Sequence, residues 1–149
     1  KKTGDKGALD VDSDVFFDAV RAGQGTSDPR VRYDRLSKRW FIVIINVAST
    51  NNRIMLAVSD GPQITASTVW NFFFFIHSQV SPAGDAGCLA DYPTLGVDAN
   101  ALYIGANMFC GLPQTFSNTS AFVIRKSSLL GTGPIIVSAF RNQIGRAHV

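Results

Sequence analysis

Four residues with the chemistry to bind a ligand lie beside two prolines of the chain. Asp28 and Arg30 flank one proline, and Asp91 and Tyr92 come just before another. A guanidinium can hold a carboxylate through two parallel hydrogen bonds, so Arg30 is suited to an anionic glycan. Two interpretations stay open for the aspartates: they line a ligand pocket, or each caps the turn before a strand.

The residue types for catalysis are sparse. All 11 acidic residues are Asp, whereas most glycosidases place two carboxylates at the scissile bond. His77 is the only histidine before the last six residues, and one histidine makes neither a metal cluster nor a convincing Ser-His-Asp arrangement. We therefore assign no catalytic residue and no metal centre.

The acidic stretch at Asp10, Asp12 and Asp14 resembles the start of a calcium loop. An EF-hand requires Gly at its sixth position and Glu at its twelfth, and Val15 and Arg21 occupy those positions here. An EF-hand is excluded on that basis. A looser Ca²⁺ site and an exposed acidic loop stay open, and no other cofactor is indicated.

A basic cluster follows the first proline, and its formal charge is partly cancelled. Its members are Arg30, Arg32, Arg35, Lys38 and Arg39. Because Asp28 and Asp34 lie among them, we expect a solvated hairpin with ion pairs and no nucleic-acid partner. No apolar run approaches the roughly 20 residues that cross a bilayer, so no membrane span is expected.

The two cysteines allow one disulfide within the chain. If Asp98 and Ala101 flank a hairpin turn, Cys88 falls within one residue of the position opposite Cys110. Side chains directly opposite each other in a sheet are close enough to bridge. A disulfide and two free buried thiols both stay open, and the disulfide would fit an oxidising compartment.

The elements that must position these residues are strands. Turn signals separate apolar runs at regular spacing, which is typical of an all-β protein; the runs are 30–33, 40–45, 53–58, 69–76, 94–97, 102–106, 121–125 and 135–140. Several runs are apolar at every position, which indicates that both faces of the strand are covered. Stacked four-stranded sheets of a β-propeller meet this requirement.

An internal repeat supports two such sheets. Pro29 aligns with Pro93, and after one residue is dropped from the turn Trp40 aligns with Tyr103, which gives a period of about 64 residues. We predict an all-β fold of two four-stranded antiparallel blades, with Ile42, Ile44 and Ile104 buried. The predicted divisions are a remnant of a preceding blade or insertion at 1–27 with a short helix at 14–22, blade one at 28–77, a loop at 78–93, blade two at 94–142 and a tail at 143–149.

The stretches SDPRVRYDRLSKRWFIVIINV, NNRIMLAVS, ADYPTLGVDANALYIGANMF and FVIRKSSLL resemble blades of the sialidase-like β-propellers of secreted bacterial proteins. Sialidases carry an Asp-box at the blade hairpins, but the turns here read DRLSKRW and DANALY. The resemblance implies an extracellular or cell-surface binding or scaffold module, with carbohydrate and the neighbouring blades of the same chain as partners. A glycoside-processing enzyme with catalytic residues in other blades, and a structural repeat of a surface protein, are the alternatives.

The last six residues carry no strand or helix pattern. IGRAHV is the translation, in one frame, of an adapter that is ligated to DNA for short-read sequencing, and the next adapter codon is a stop. We therefore expect a non-native tail on a fragment, without specific packing contacts for Ile144 to Val149.

Overall fold

The computed structural model describes residues 6–48, 50–131 and 133–143. The expected tail, 144–149, lies outside the described residues. The first sheet, sheet A, has the strand order β1-β2-β3-β4, and in the second, sheet B, the order is β5-β7-β8-β9 with β6 paired to β7. The strands are β1 Thr26–Asp34, β2 Arg39–Asn46, β3 Arg53–Ser59, β4 Trp70–Ile76, β5 Leu89–Asp91, β6 Gly96–Val97, β7 Ala101–Cys110, β8 Thr115–Arg125 and β9 Val137–Gln143. The short helical elements are α1 Ser13–Phe16, a 3-10 turn at His77–Gln79 and α2 Lys126–Leu129.

The all-β prediction with two antiparallel sheets is confirmed, and one boundary differs. Sheet A has the four strands expected, whereas sheet B has five. The additional strand β5 lies inside the segment 78–93 that the sequence suggested was a loop. This strand is only three residues long, and a short strand that ends at a proline leaves too little periodicity to recognise.

The two sheets pack face to face around one apolar core. Sheet A contributes alternate residues of β2 and β3, and sheet B contributes those of β7 and β8; the fully buried members include Phe41, Val43, Leu56, Leu102, Ile104, Met108, Phe122 and Ile124. Ile44 and Ile104 are buried as expected, at 0% and 1% exposure. The predicted burial of Ile42 is wrong, because it is only half-buried where it packs on the other face of sheet A.

That other face of sheet A is covered by the N-terminal segment. Phe17 and Val20 pack there against Ile44 and Met55 in a second apolar cluster. The middle strands of sheet A are therefore buried on both sides, which explains their continuous apolarity. The predicted helix at 14–22 is wrong in extent, because α1 ends at Phe16; Asp12 is its N-cap.

A side chain of α1 forms hydrogen bonds outside the helix. The Asp14 carboxylate accepts hydrogen bonds from the backbone N–H and the hydroxyl of Thr26, at 2.8 Å and 2.7 Å. This contact ties the segment to the start of β1. Ala22 then adopts a left-handed φ of 57° and Gly23 a φ of 71°, which turns the chain into the sheet.

Buried ion pairs join the two sheets and close one loop. Lys126 Nζ lies 2.8 Å from Asp34 Oδ2, and both side chains are 6% exposed. Arg141 pairs with Asp85 at 3.0 Å and also donates to the carbonyls of His77, Val80 and Pro82. Because one guanidinium satisfies four acceptors, it holds the loop between β4 and β5 against β9.

Cys88 and Cys110 form a disulfide, the first of the two alternatives that the sequence left open. Their Cα atoms lie 4.2 Å apart. The register explains the offset of one residue: Gly96 pairs with Tyr103, but beyond the proline Leu89 pairs with Phe109. A bulge between these pairs moves the first cysteine directly opposite the second.

Candidate functional site

The sequence-predicted ligand residues lie where the edge strands of the two sheets meet, β1 in sheet A and β5 in sheet B. Each edge strand carries the same bulge. In β1, Asp28 and its proline lie opposite one residue of β2, between the pairs Ser27–Ile45 and Arg30–Val43. In sheet B, Tyr92 and its proline fill the same place in the ladder.

Both bulges hold a non-glycine residue in the left-handed region. The φ of Asp28 is 58°, and the φ of Tyr92 is 50°. This conformation is uncommon for residues with a side chain, and it costs on the order of 1–3 kcal/mol at each position. Backbone strain of this kind is concentrated at functional sites, because there it directs a side chain where regular strand geometry would not.

The two bulges bring the Asp28 and Asp91 side chains close enough to interact, although 63 residues of sequence separate them. Burial raises the pKa of Asp91, and the Asp28 carboxylate adds to this, against the backbone N–H of Tyr92, which lowers it. Ser27 Oγ donates to Asp28 Oδ2 at 3.0 Å. Both residues are half-buried.

Tyr92 and Arg30 border this pair in different ways. The Tyr92 side chain is 56% exposed, so its ring is open to a ligand. Arg30 lies on the face that carries Val43, and its Nη1 donates to the carbonyl of Pro29 at 3.1 Å. Among the described residues it forms no ion pair with either carboxylate, so the structure assembles three of the four candidate residues.

No protein-family model, no curated protein and no solved structure matches this chain. The interpretation of the site therefore rests on the side chains themselves.

The distance between the carboxylates limits the chemistry they can perform. Retaining glycosidases hold their two carboxyl groups about 5–5.5 Å apart and inverting ones about 6.5–9.5 Å apart. The Asp28 charge raises the pKa of Asp91, so the two carboxyl groups interact directly with each other. The pair is suited to accepting hydrogen bonds from hydroxyl groups.

The acidic stretch before α1 is engaged in local contacts. Asp10 pairs with Lys6 at 2.6 Å, and Asp12 caps α1 through the N–H of Asp14. The Asp14 carboxylate is held by Thr26. Within 6–48, 50–131 and 133–143, no group of three or more metal-binding side chains is assembled.

His77 is a structural residue of the loop between the sheets. It is 2% exposed, and its Nε2 lies 3.0 Å from the carbonyl of Cys88. Burial lowers the pKa of His77, so the neutral ring with a proton on Nε2 is favoured. No described residue supplies a partner for its Nδ1.

The basic cluster divides between the surface and the hairpin. Arg32 lies opposite Phe41 on the same sheet face as Arg30. Arg39 donates to the carbonyl of Ser59 at 2.8 Å. None of the helices in the described ranges has the length and apolar character that a membrane crossing requires.

The structure reveals a site feature that sequence reasoning missed. The contact between Asp28 and Asp91 depends on two bulges and on the packing of two sheets, and neither is visible in a run of residues. A weak signal was present, since an aspartate or tyrosine before proline is restricted in conformation. That restriction marks a special backbone, but it does not say what the side chain reaches.

Proposed function

We propose that this chain is a non-catalytic binding and scaffold module from an extracellular sialidase-like β-propeller, and that it binds carbohydrate where β1 and β5 meet. The observation that carries the proposal is the half-buried contact between Asp28 and Asp91 beside an exposed tyrosine ring. Two consecutive antiparallel sheets with their first strands adjacent are the scaffold that forms this site.

The chemistry of the three residues supports a polyhydroxylated ligand. Ionised carboxylates are strong acceptors for hydroxyl donors, and their hydrogen bonds are about twice as strong as neutral ones. Tyr92 offers an aromatic face next to them, and an aromatic ring covers apolar area with little loss of side-chain freedom. Arg30 lies one residue beyond the bulge, and its guanidinium is suited to the carboxylate of an acidic sugar.

A role in ligand binding explains the pair of Asp28 and Asp91 better than a role in stabilising the fold does. Two carboxylates in contact destabilise the folded chain at neutral pH, because like charges repel in a half-buried setting. Left-handed backbone at Asp28 and Tyr92 adds to that cost. A ligand whose hydroxyl groups donate to both carboxylates would remove the repulsion on binding.

The compartment in the proposal is supported by the disulfide between Cys88 and Cys110. Disulfides persist mainly in oxidising environments such as the periplasm and the cell exterior. The bond joins the residue just before β5 to the end of β7, so it also helps to hold Asp91 in position.

The test is a glycan array followed by calorimetry with the best neutral and acidic oligosaccharides found on it. We expect Tyr92→Ala to weaken binding about tenfold or more, in line with 1–3 kcal/mol for a ring that stacks on its ligand. Asp28→Asn and Asp91→Asn should each weaken it by a similar factor. Asp60→Asn, at an exposed aspartate in the turn after β3, is the matched control and should leave affinity unchanged.

Two outcomes would contradict the proposal. The first is an array without any glycan bound above the level of an unrelated protein. The second is binding that survives all three site variants. Arg30→Gln separates ligand classes, because it should weaken only a glycan that carries a carboxylate.

A further inference from the structure

The ladders of the two sheets define which residues correspond. Tyr33 pairs with Trp40 in sheet A, and Val97 pairs with Leu102 in sheet B. Two residues, rather than the single one expected from the sequence, are therefore missing from the second turn. Trp40 corresponds to Leu102 and not to Tyr103, which reverses the face assigned to every residue of β7.

The corrected alignment is consistent across all four strands. The pair Val43–Leu56 corresponds to Gly105–Ala121, and the pair Phe41–Val58 corresponds to Tyr103–Val123. On the fourth strands Phe73 corresponds to Phe140. We call the face with these residues the front face; in sheet B it consists of Tyr103, Gly105, Ala121, Val123, Ser138 and Phe140.

The two sheets stack in the same sense, front to back. The front face of sheet A, with Phe41, Val43, Leu56 and Val58 at 0–1% exposure, is covered by the back face of sheet B. The front face of sheet B has no such cover among the described residues. Tyr103 is 42% exposed there and Phe140 is 51% exposed, although the corresponding Phe41 and Phe73 pack in the core.

A polar contact at one end of the two stacked sheets shows the same difference between sheet A and sheet B. Asp34 and Asp98 occupy corresponding turns, and each accepts two backbone N–H groups of its own turn. Asp34 also receives Lys126 from sheet B, in a buried ion pair. Asp98 lies on the front side of sheet B, where it accepts from the Tyr103 hydroxyl at 2.8 Å, and it is exposed.

A shallow cavity lies next to Asp98 on this face. Its volume is about 490 Å³, and it is lined by Ala99, Asn100, Ala101, Val123, Arg125, Ser127, Ile136 and Ser138. In sheet A the corresponding space beside Asp34 is filled by α2 and Lys126. The cavity therefore marks the seat that a further α2-like turn would occupy.

The geometry points to the front face of sheet B as the docking surface for one more antiparallel sheet of the same kind, which would present its apolar back face and place a lysine on Asp98. The small residues Gly105 and Ala121 permit close approach, and Tyr103 and Phe140 supply the apolar area. This inference is independent of the carbohydrate site, because the residues that carry it are not those of that site.

The test adds a second copy of residues 77–143 directly after Gln143 in the full chain. The added copy contains its own Lys126, which should pair with Asp98 of the first. We expect Asp98→Asn to lower the ratio of folded to unfolded protein about 100-fold or more in the extended chain, because a buried lysine loses its partner. In the original chain the same substitution should change that ratio about twofold or less.

Further variants make the result specific. Lys126→Met in the added copy should remove most of the effect of Asp98→Asn, as coupled residues do in a double-mutant cycle. Val123→Lys should destabilise the extended chain but not the original one, whereas Leu112→Lys, at a 99% exposed hairpin tip, should affect neither. In the original chain, Ser138→Cys should react rapidly with a thiol reagent. The same substitution in the first copy of the extended chain should react slowly.

The inference is overturned by any of three results. They are equal effects of Asp98→Asn in the two chains, equal thiol reactivity of Ser138→Cys in both, and an added copy that stays unfolded on an otherwise native chain. A loss of carbohydrate binding would not bear on it, since the sugar site and the front face share no residues.

Discussion

Replacing Lys126 by methionine should be among the most destabilising single substitutions in this chain. The ammonium is buried in the junction of the two sheets, 2.8 Å from Asp34 Oδ2 in sheet A, and it also donates to the backbone carbonyl of Asp98 in sheet B. The substitution retains most of the apolar stem but removes the charge. It leaves the Asp34 carboxylate at 5% exposure without its cation.

The pKa of Asp34 indicates how large this loss of stability should be. Burial alone would raise this pKa, but hydrogen bonds from Lys126, from the Ser37 hydroxyl and from the N–H groups of Leu36 and Ser37 outweigh burial and lower it from 3.8 to about 2. At 1.36 kcal/mol for each pKa unit, the ionised state of Asp34 contributes about 2 kcal/mol to stability. Loss of the lysine should cost more, about 3–5 kcal/mol, because the buried charge is then uncompensated.

The pH dependence gives the sign of the effect. Because the folded-state pKa of Asp34 is depressed, its contribution is fully present above about pH 4 and is lost as the pH falls through about 2. The destabilisation by Lys126→Met should therefore be largest at neutral pH. It should shrink in acid, where the unpaired carboxyl group is protonated and no longer costly to bury.

The assay is urea unfolding between pH 3 and 7 of the wild type, of Lys126→Met and Asp34→Asn, and of the double variant. Lys6→Met, which breaks an exposed ion pair with a lysine 83% exposed, is the control and should cost about 0.5 kcal/mol or less. A loss below about 1 kcal/mol for Lys126→Met at pH 7 would refute the reasoning. So would a loss that does not depend on pH.

Three further predictions concern the site and the loop. Asp91→Asn should raise the urea midpoint at pH 7, by a free energy of about 0.2–1 kcal/mol. The raised folded-state pKa of Asp91 means that its charge opposes folding above that pKa, so the gain should fade in acid. A loss of stability at pH 7 would contradict this prediction. Reducing the Cys88–Cys110 disulfide, which spans 22 residues, should lower the free energy of unfolding by about 3 kcal/mol, as measured with and without a phosphine reductant, and an unchanged midpoint would count against this. Arg141→Met should lower the free energy of unfolding by about 3–5 kcal/mol, because Asp85 and three carbonyls lose their donor. Amide exchange between residues 77 and 88 should become faster. Slow exchange there would show that the loop is held by other contacts.

The sequence was sufficient for much of the fold because its signals are local. Strand runs of β-branched and aromatic residues are separated by turns at Asp34 and Asp98, and in each turn the carboxylate binds the next N–H groups, as the turn chemistry requires. The alignment of Pro29 with Pro93 is also borne out, since both prolines lie in equivalent bulges. These features depend on a few neighbouring residues.

The predicted alignment of the two sheets was wrong where the number of residues missing from one turn has a large effect on the structure. One residue was assumed to be missing from the second turn, whereas the ladders show two. Since side chains alternate between the faces of a strand, that difference decides whether Tyr103 or Leu102 faces the neighbouring sheet. The sequence contains no signal for the correct count until the pairing is known.

The sequence by itself determined the strand content and the arrangement in two antiparallel sheets, because both depend on residue type and short spacing. Only the tertiary structure decided that Asp28 reaches Asp91 and that Lys126 neutralises Asp34, 92 residues away. Those contacts are set by how two sheets stack and by where a bulge shifts the register. The electrostatics of the candidate site come from packing, since proximity across sheets alone brings two carboxylates into one half-buried space.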